Sequence, residues 1–273
     1  MDKLTKYKTR HLNVEFSRIL EEESINMLFQ PIVNLKDNKI LGYEALCRGP
    51  RQSPLHFPDA LFCTAEKVNK VTILDELARK KAIQSFMPFL NKYKLFLNMR
   101  PSNLYEYNFF KTSVLNNLES NNIDASNIVI EITEQCPVNS IIDYKKLISD
   151  LKNSGIKLAL DDVGSGYSGL KTILEIEPDY LKIDMDLTKD IHKDKLKKNL
   201  MKGLISLSNY CDMKLIVEGI ECREELETIL ELGAYAGQGY FLQKPQEAPE
   251  DISVASKSII NSYSKNKEII VME

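Results

Sequence analysis

Short apolar runs recur along this chain, and longer amphipathic stretches separate most of them. Met27 to Val33 and Ile40 to Cys47 read as strands joined by a turn around Lys36-Asp37-Asn38, which predicts an antiparallel hairpin. Further strands are predicted at Lys94 to Leu97, Ile128 to Ile132, Ile156 to Leu160, Tyr180 to Ile183, Lys214 to Val217 and Gly239 to Leu242. One helical pattern runs through residues 58–91, where Leu74, Leu77, Ala78 and Ile83 are helically spaced. Others fall around 103–119, 140–153, 194–209 and 222–232, with an amphipathic helix over 15–24 and a last one over Ile252 to Tyr263. Strand and helix alternating with short connections favour a closed parallel barrel over an open sheet. The expected layout is one domain: residues 1–24 a helical extension, 25–263 the barrel, and 264–273 a frayed polar tail.

Composition narrows the function. With 273 residues, 43% of them hydrophobic, the chain can bury one large core. A net charge of −3 argues against a broad grip on polymeric nucleic acid. The lysine-rich run from Lys193 to Lys198 reads as a solvated helix face. No apolar run is long enough for a membrane segment, and the N-terminus lacks the apolar core of a signal peptide. Cys47, Cys63, Cys136, Cys211 and Cys222 lack zinc spacing and read as reduced thiols, which points to a cytoplasmic protein. Three histidines make a histidine-built metal site improbable, so any metal would be a hard cation on oxygen ligands, Mg²⁺ or Mn²⁺.

Residues 156–184 concentrate the chemistry. The apolar run that ends at Leu160 stops at two adjacent acids, Asp161 and Asp162, followed by a glycine-punctuated loop and then a strand carrying Lys182. Adjacent strand residues face opposite ways, so both acids can serve one site only if the strand ends there and the chain turns. A helix N-cap followed by a surface loop is the alternative. Other strands carry polar residues at comparable places: Glu44, Asn98, Glu131, Glu218 and, opening the last run, Gln238. Buried acids are costly unless paired or bound to a cation. Gathered at a barrel mouth with one lysine, these groups could hold two divalent ions, which can polarise a phosphoryl group and activate water.

The ordered motifs FQPIV (29–33), GYEALCR (42–48), Ala65-Glu66, LFLN (95–98), EITE (131–134), LDDVGSGYSGL, LKID, VEGIE (217–221) and QGYFLQKP (238–245) resemble those of the EAL domain family. The resemblance implies an α/β fold, a TIM-like (β/α)8 barrel with one antiparallel strand. It also implies metal-dependent hydrolysis of cyclic di-GMP to linear pGpG, and a homodimer. By this resemblance Glu44, Asn98, Glu131 and Asp161 are ligands of a first ion, and Asp161 and Asp162 of a second. Lys182 contacts the catalytic water, and Glu218 is a general base or a metal-organising acid. Gln30, Leu46, Arg48 and Gln238 lie on the substrate side, while Glu134 anchors the glycine-rich loop and Glu221 is a supporting acid.

The chain departs from the family at Val163, where an aromatic residue is usual, at Gly169, where serine is, and at Gly49-Pro50 after Arg48. None of these removes a ligand position. The expected function is therefore a cyclic di-GMP phosphodiesterase. A receptor that binds cyclic di-GMP without turnover is the alternative, and a hydrolase of a related cyclic dinucleotide or of pGpG a third.

Overall fold

Runs of β-branched and aromatic residues from Met27 to Val217 form strands where the pattern predicts them. The computed structural model describes residues 3–99, 114–133, 141–164 and 169–271. Eight strands close into a barrel in chain order: β1 (Asn26–Asn34), β2 (Lys39–Arg48), β3 (Lys94–Met99), β4 (Ile128–Thr133), β5 (Lys157–Val163), β6 (Tyr180–Ile183), β7 (Lys214–Val217) and β8 (Ala236–Gly237). Strand β1 is antiparallel to both its neighbours, and every other pairing is parallel. The hairpin that reverses it turns at Asn38, whose φ of 56° lies in the left-handed region that Asn tolerates.

Described helices are α1 (Lys3–Glu21), α2 (Pro58–Lys67), α3 (Val71–Phe86), α4 (Asn116–Ser120), α5 (Ile141–Asn153), α6 (Gly169–Ile176), α7 (Met185–Thr188), α8 (Lys195–Tyr210), α9 (Arg223–Leu232) and α10 (Val254–Val271). Their starts carry local signals. Pro58 opens α2, and the Asp194 side chain caps α8 by accepting from the N–H groups of Leu196 and Lys197. Gly233, at φ 84°, closes α9.

Two apolar layers hold the barrel. A large one lies outside it, against the helices. A small one fills the inside: Ile32, Phe96, Val129, Ala159, Tyr180, Ile216 and Ala236, with the Phe96 and Tyr180 rings edge to face at 5.4 Å. Because side chains on a strand repeat every two residues, the next inward position on each strand lies one layer nearer the mouth. Those positions are Asn98, Glu131, Asp161, Lys182, Glu218 and Gln238, and on the reversed β1, Gln30.

Several boundaries differ from the sequence expectation. Helical pattern over 58–91 splits into α2, α3 and a short 3-10 turn, because the chain leaves α2 through Asn69 at φ 55° and Lys70 N–H reaches back to the Ala65 carbonyl. Helix α1 begins well before residue 15, and α10 is helical to Val271, where a frayed end was expected after Tyr263. The last strand is Ala236–Gly237, not Gly239 to Leu242, so Gln238 follows it and does not open it. Segment 239–242 instead turns tightly against Ile220: a Cβ on Gly239 would collide with the Ile220 backbone.

Candidate active site

Strand β5 does not stop at Asp161. It runs on to Val163, and its pairing with β6 slips between Leu160 and Val163. Asp162 takes φ 56° inside that slip, so the chain makes a bulge. The bulge solves the alternation problem: oxygen atoms of Asp161, Asp162 and Glu218 lie within 4.8 Å of one another. Val163 is thereby a buried strand residue, 5% exposed, and not part of the loop.

Lys182 occupies the centre of the mouth and is 1% exposed. Its Nζ lies 2.7 Å from Glu131 Oε1, 2.7 Å from Glu218 Oε1, 3.1 Å from Asp161 Oδ1 and 3.5 Å from Glu44 Oε2. Glu44 is held by two amides. Asn98 Nδ2 donates to its Oε1 at 3.0 Å and Gln238 Nε2 to its Oε2 at 2.7 Å. Gln238 Nε2 also reaches Gln30 Oε1 at 3.2 Å, and Gln30 Nε2 donates to the Gln243 carbonyl at 3.1 Å. The antiparallel register places Gln30 directly opposite Glu44.

Charge does not balance here. Glu44, Glu131, Asp161, Asp162 and Glu218 face one ammonium, and most of this cluster is buried. Burial pushes Glu131 well above the usual carboxylate range and raises Asp161, in both cases against the attraction of Lys182. Asp162 is pushed up to about 6 by burial and by Asp161, and Glu218 up to about 8, chiefly by burial. Glu44 shifts the other way: burial would raise it, but Lys182 and the hydrogen bonds from Gln238 and Asn98 win. Burial likewise works against the Lys182 ammonium, yet its four carboxylates hold it well above the ordinary lysine value.

These residues fit divalent cations. Glu131 Oε2 and Gln238 Oε1 are buried without a hydrogen-bond partner, and the surplus negative charge needs either protons or cations. The donors are all oxygen once Asn98 presents its carbonyl, which suits a hard ion.

Two hollows meet at the cluster and share Glu44 and Asp162. The larger, about 680 Å³, is lined by Leu46, Arg48, Asn98 and the paired Asp75 and Arg79 of α3. The smaller, about 350 Å³, holds Gln30, Asp161, Lys182, Glu218, Glu221 and Gln238 with Asp184, Met185 and Tyr240. Arg48 Nη1 donates to the Cys47 carbonyl at 2.8 Å. Gly219, at φ 68°, lets the loop after Glu218 pass Met185, where a Cβ would collide.

Glu134 and loop residues 165–168 lie outside the described residues. Glu221 is exposed at the rim, so a supporting role for its carboxylate gains nothing from burial. The acid that organises this loop is Glu225, 4% exposed, which accepts from the N–H groups of Glu221 and Cys222. Sequence reasoning passed over it, although a Glu three residues after a helix N-cap is a recognised start signal. It also missed Asp75 and Arg79, whose signal is a charged pair one turn apart on the apolar face of α3.

The EAL domain family model matches residues 13–245. "Probable cyclic di-GMP phosphodiesterase PdeI" of Escherichia coli (strain K12) is 30% identical over 240 residues, 83% of this chain and 29% of that protein. "Cyclic di-GMP phosphodiesterase PdeA" of Borreliella burgdorferi is 30% identical over 233 residues, 84% of this chain and 35% of that protein. The chain thus spans about a third of the length of these curated relatives. Among solved structures, a standalone versatile EAL protein from Vibrio cholerae O395, in its c-di-GMP bound form, is 28% identical with a TM-score of 0.75. That match covers 85% of this chain and 97% of the other. Klebsiella pneumoniae BlrP1 in a manganese/cy-diGMP complex is 25% identical with a TM-score of 0.76, covering 84% of this chain and 58% of that one.

Proposed function

Because this chain belongs to the EAL domain family, we propose that it is a metal-dependent phosphodiesterase that hydrolyses cyclic di-GMP to linear pGpG. The observation that carries this reading is the ring of buried carboxylates around Lys182, with more negative charge than one ammonium can offset. Such a ring is costly in a binding module and useful in a hydrolase.

In this reading Glu44, Asn98, Glu131 and Asp161 would hold one Mg²⁺ or Mn²⁺ ion, and Asp161 and Asp162 a second. Bound, the two ions would polarise the phosphate and lower the pKa of water. Lys182 stabilises charge that develops on the phosphoryl oxygens, and its four carboxylates fix its position. Glu218, whose carboxylate lies near those of Asp161 and Asp162, would accept the proton of the attacking water. Gln238 and Asn98 keep Glu44 in place, and Gln30, held by the Gln243 carbonyl, keeps Gln238 in place.

A cyclic dinucleotide suits two hollows joined at the acids, with one phosphate at the junction and a nucleotide on either side. Leu46 lines the larger hollow, and the planar guanidinium of Arg48 has further N–H groups for a phosphate there. A cytoplasmic location goes with this proposed substrate. Among the described residues no helix is long and apolar enough to cross a membrane. A homodimer completes the proposal, supported by exposed Leu196 and Leu200, one turn apart on α8.

The test is direct. Purified chain is mixed with cyclic di-GMP, with and without Mg²⁺ or Mn²⁺, and the products are separated by chromatography. Metal-dependent pGpG is expected. Tight binding without product would replace the enzyme with the receptor.

A further inference from the structure

Beside the mouth, the segment after β6 and the loop after β7 are joined at one carboxylate. Glu225 Oε1 accepts from the Asp190 N–H at 2.9 Å, and Oε2 accepts from Glu221 N–H at 2.9 Å and Cys222 N–H at 3.2 Å. A carboxylate offers about four acceptor positions, so one remains.

Two other donors lie close to this carboxylate. A ring nitrogen of His192, Cys222 Sγ and a Glu225 oxygen all lie within 4.8 Å of one another. Independently, His192 Nδ1 is buried and has no hydrogen-bond partner. A buried polar nitrogen left unpaired costs free energy, and a bound cation would remove that cost.

We propose that His192, Cys222 and Glu225 form a second metal site, one that takes a borderline-soft divalent cation of the Zn²⁺ type. A sulfur, nitrogen and oxygen set selects such an ion over the hard cations suited to the all-oxygen mouth. The carboxylate of exposed Glu224 is hydrogen-bonded to the Cys222 thiol at the edge of this group. Binding breaks the Cys222 S–H bond, forms a sulfur–metal bond and releases the proton to solvent.

Cys222 does not suit a redox switch. Burial, more than any other influence, pushes its thiol above the ordinary value, whereas reactive cysteines are held below it.

The ion would clamp two stretches that both reach the mouth. His192 follows Asp184 and Met185, and Cys222 follows Glu218 and Gly219. Tightening that junction acts on the rim and leaves the ligands of the mouth untouched.

Cobalt is a suitable probe, because a thiolate bound to Co²⁺ gives a charge-transfer absorption that oxygen ligands do not. The full chain, reduced and stripped with chelator, is titrated with Co²⁺ alone, beside Cys222→Ser and His192→Ala. Cys222→Ser keeps a side chain able to cap α9, and thermal melts check the fold of both variants. The band is expected in the wild-type chain and absent from Cys222→Ser. In His192→Ala, which retains every cysteine, Co²⁺ affinity should fall by about tenfold or more. No band in the wild type, a band unchanged in Cys222→Ser, or unchanged Co²⁺ affinity in folded His192→Ala would each overturn the site. If Cys222→Ser does not fold, His192→Ala decides alone, since its side chain is partly exposed and caps nothing.

Discussion

Lys182 of β6 and Glu131 of β4 meet at 2.7 Å, although β5 separates their strands. The contact forms over the inner apolar layer, with Val129 and Tyr180 two residues below. It makes the ammonium a structural centre as well as a catalytic candidate. Lys182→Met leaves Glu131, Asp161 and Glu44 buried, and Glu218 partly buried, without a counter-charge. Removing one partner of a buried pair costs about 3–5 kcal/mol. A thermal melt in chelator should therefore fall sharply, and Mn²⁺ should recover much of the loss while turnover stays low. An unchanged melt in chelator would contradict the arrangement.

Stability of the metal-free protein should depend on pH with a definite sign. Glu218 is raised from 4.5 to about 8 and Asp162 from 3.8 to about 6, so the folded state binds more protons than the unfolded one between those limits. Their contribution is complete below the unfolded values and is lost as pH rises through about 6 and then about 8. The lowered Glu44 acts oppositely, but its contribution changes only at and below its ordinary value, outside this window. Chelator-treated protein should melt lower at about pH 8 than at about pH 6, and added Mn²⁺ should raise the melt most at the alkaline end. A melt that rises with pH in chelator would contradict this.

Glu44 receives both Asn98 and Gln238, so its removal should loosen metal and substrate together. Glu44→Ala should raise the Mn²⁺ concentration needed for half-maximal turnover by tenfold or more, about 1.4 kcal/mol. Titrating Mn²⁺ at saturating cyclic di-GMP measures it, and an unshifted curve would remove Glu44 from the ligand set.

Asp162 separates backbone from charge. At φ 56° an Asn is tolerated, whereas Ala pays roughly 1–2 kcal/mol for the left-handed conformation. In chelator Asp162→Asn should melt no lower than the wild type, because it removes a disfavoured buried charge, and with metal it should lose turnover. Asp162→Ala should also lose turnover and melt below Asp162→Asn. Equal melts for the two variants would show that the bulge carries no strain.

The site was legible in the sequence where strand periodicity carried it. Phe96 and Asn98, Val129 and Glu131, Tyr180 and Lys182, and Ile216 and Glu218 each set an apolar residue two places before a polar one. A one-residue error in any strand would have separated such a pair, and those strands came out as predicted. The bulge was not legible, because Asp-Asp at a strand end looks the same whether the chain turns or slips. Strand β8 was missed for another reason. Ala236-Gly237 is two small residues without β-propensity, and only the barrel's closure on β1 and β7 makes it a strand.

The reversal of β1 also determines where the chain enters the machine. In an all-parallel barrel the first strand would begin at the far end from the chemistry. Here Asn26, the first residue of β1, pairs with Arg48, and Gln30 lies only four residues further on. Helix α1 is consequently attached at the working end, five residues before that strand begins. Only residues 22–29 separate the end of α1 from Gln30, and Gln30 is one hydrogen bond from Gln238, which holds Glu44. The helix is a handle fixed to the rim.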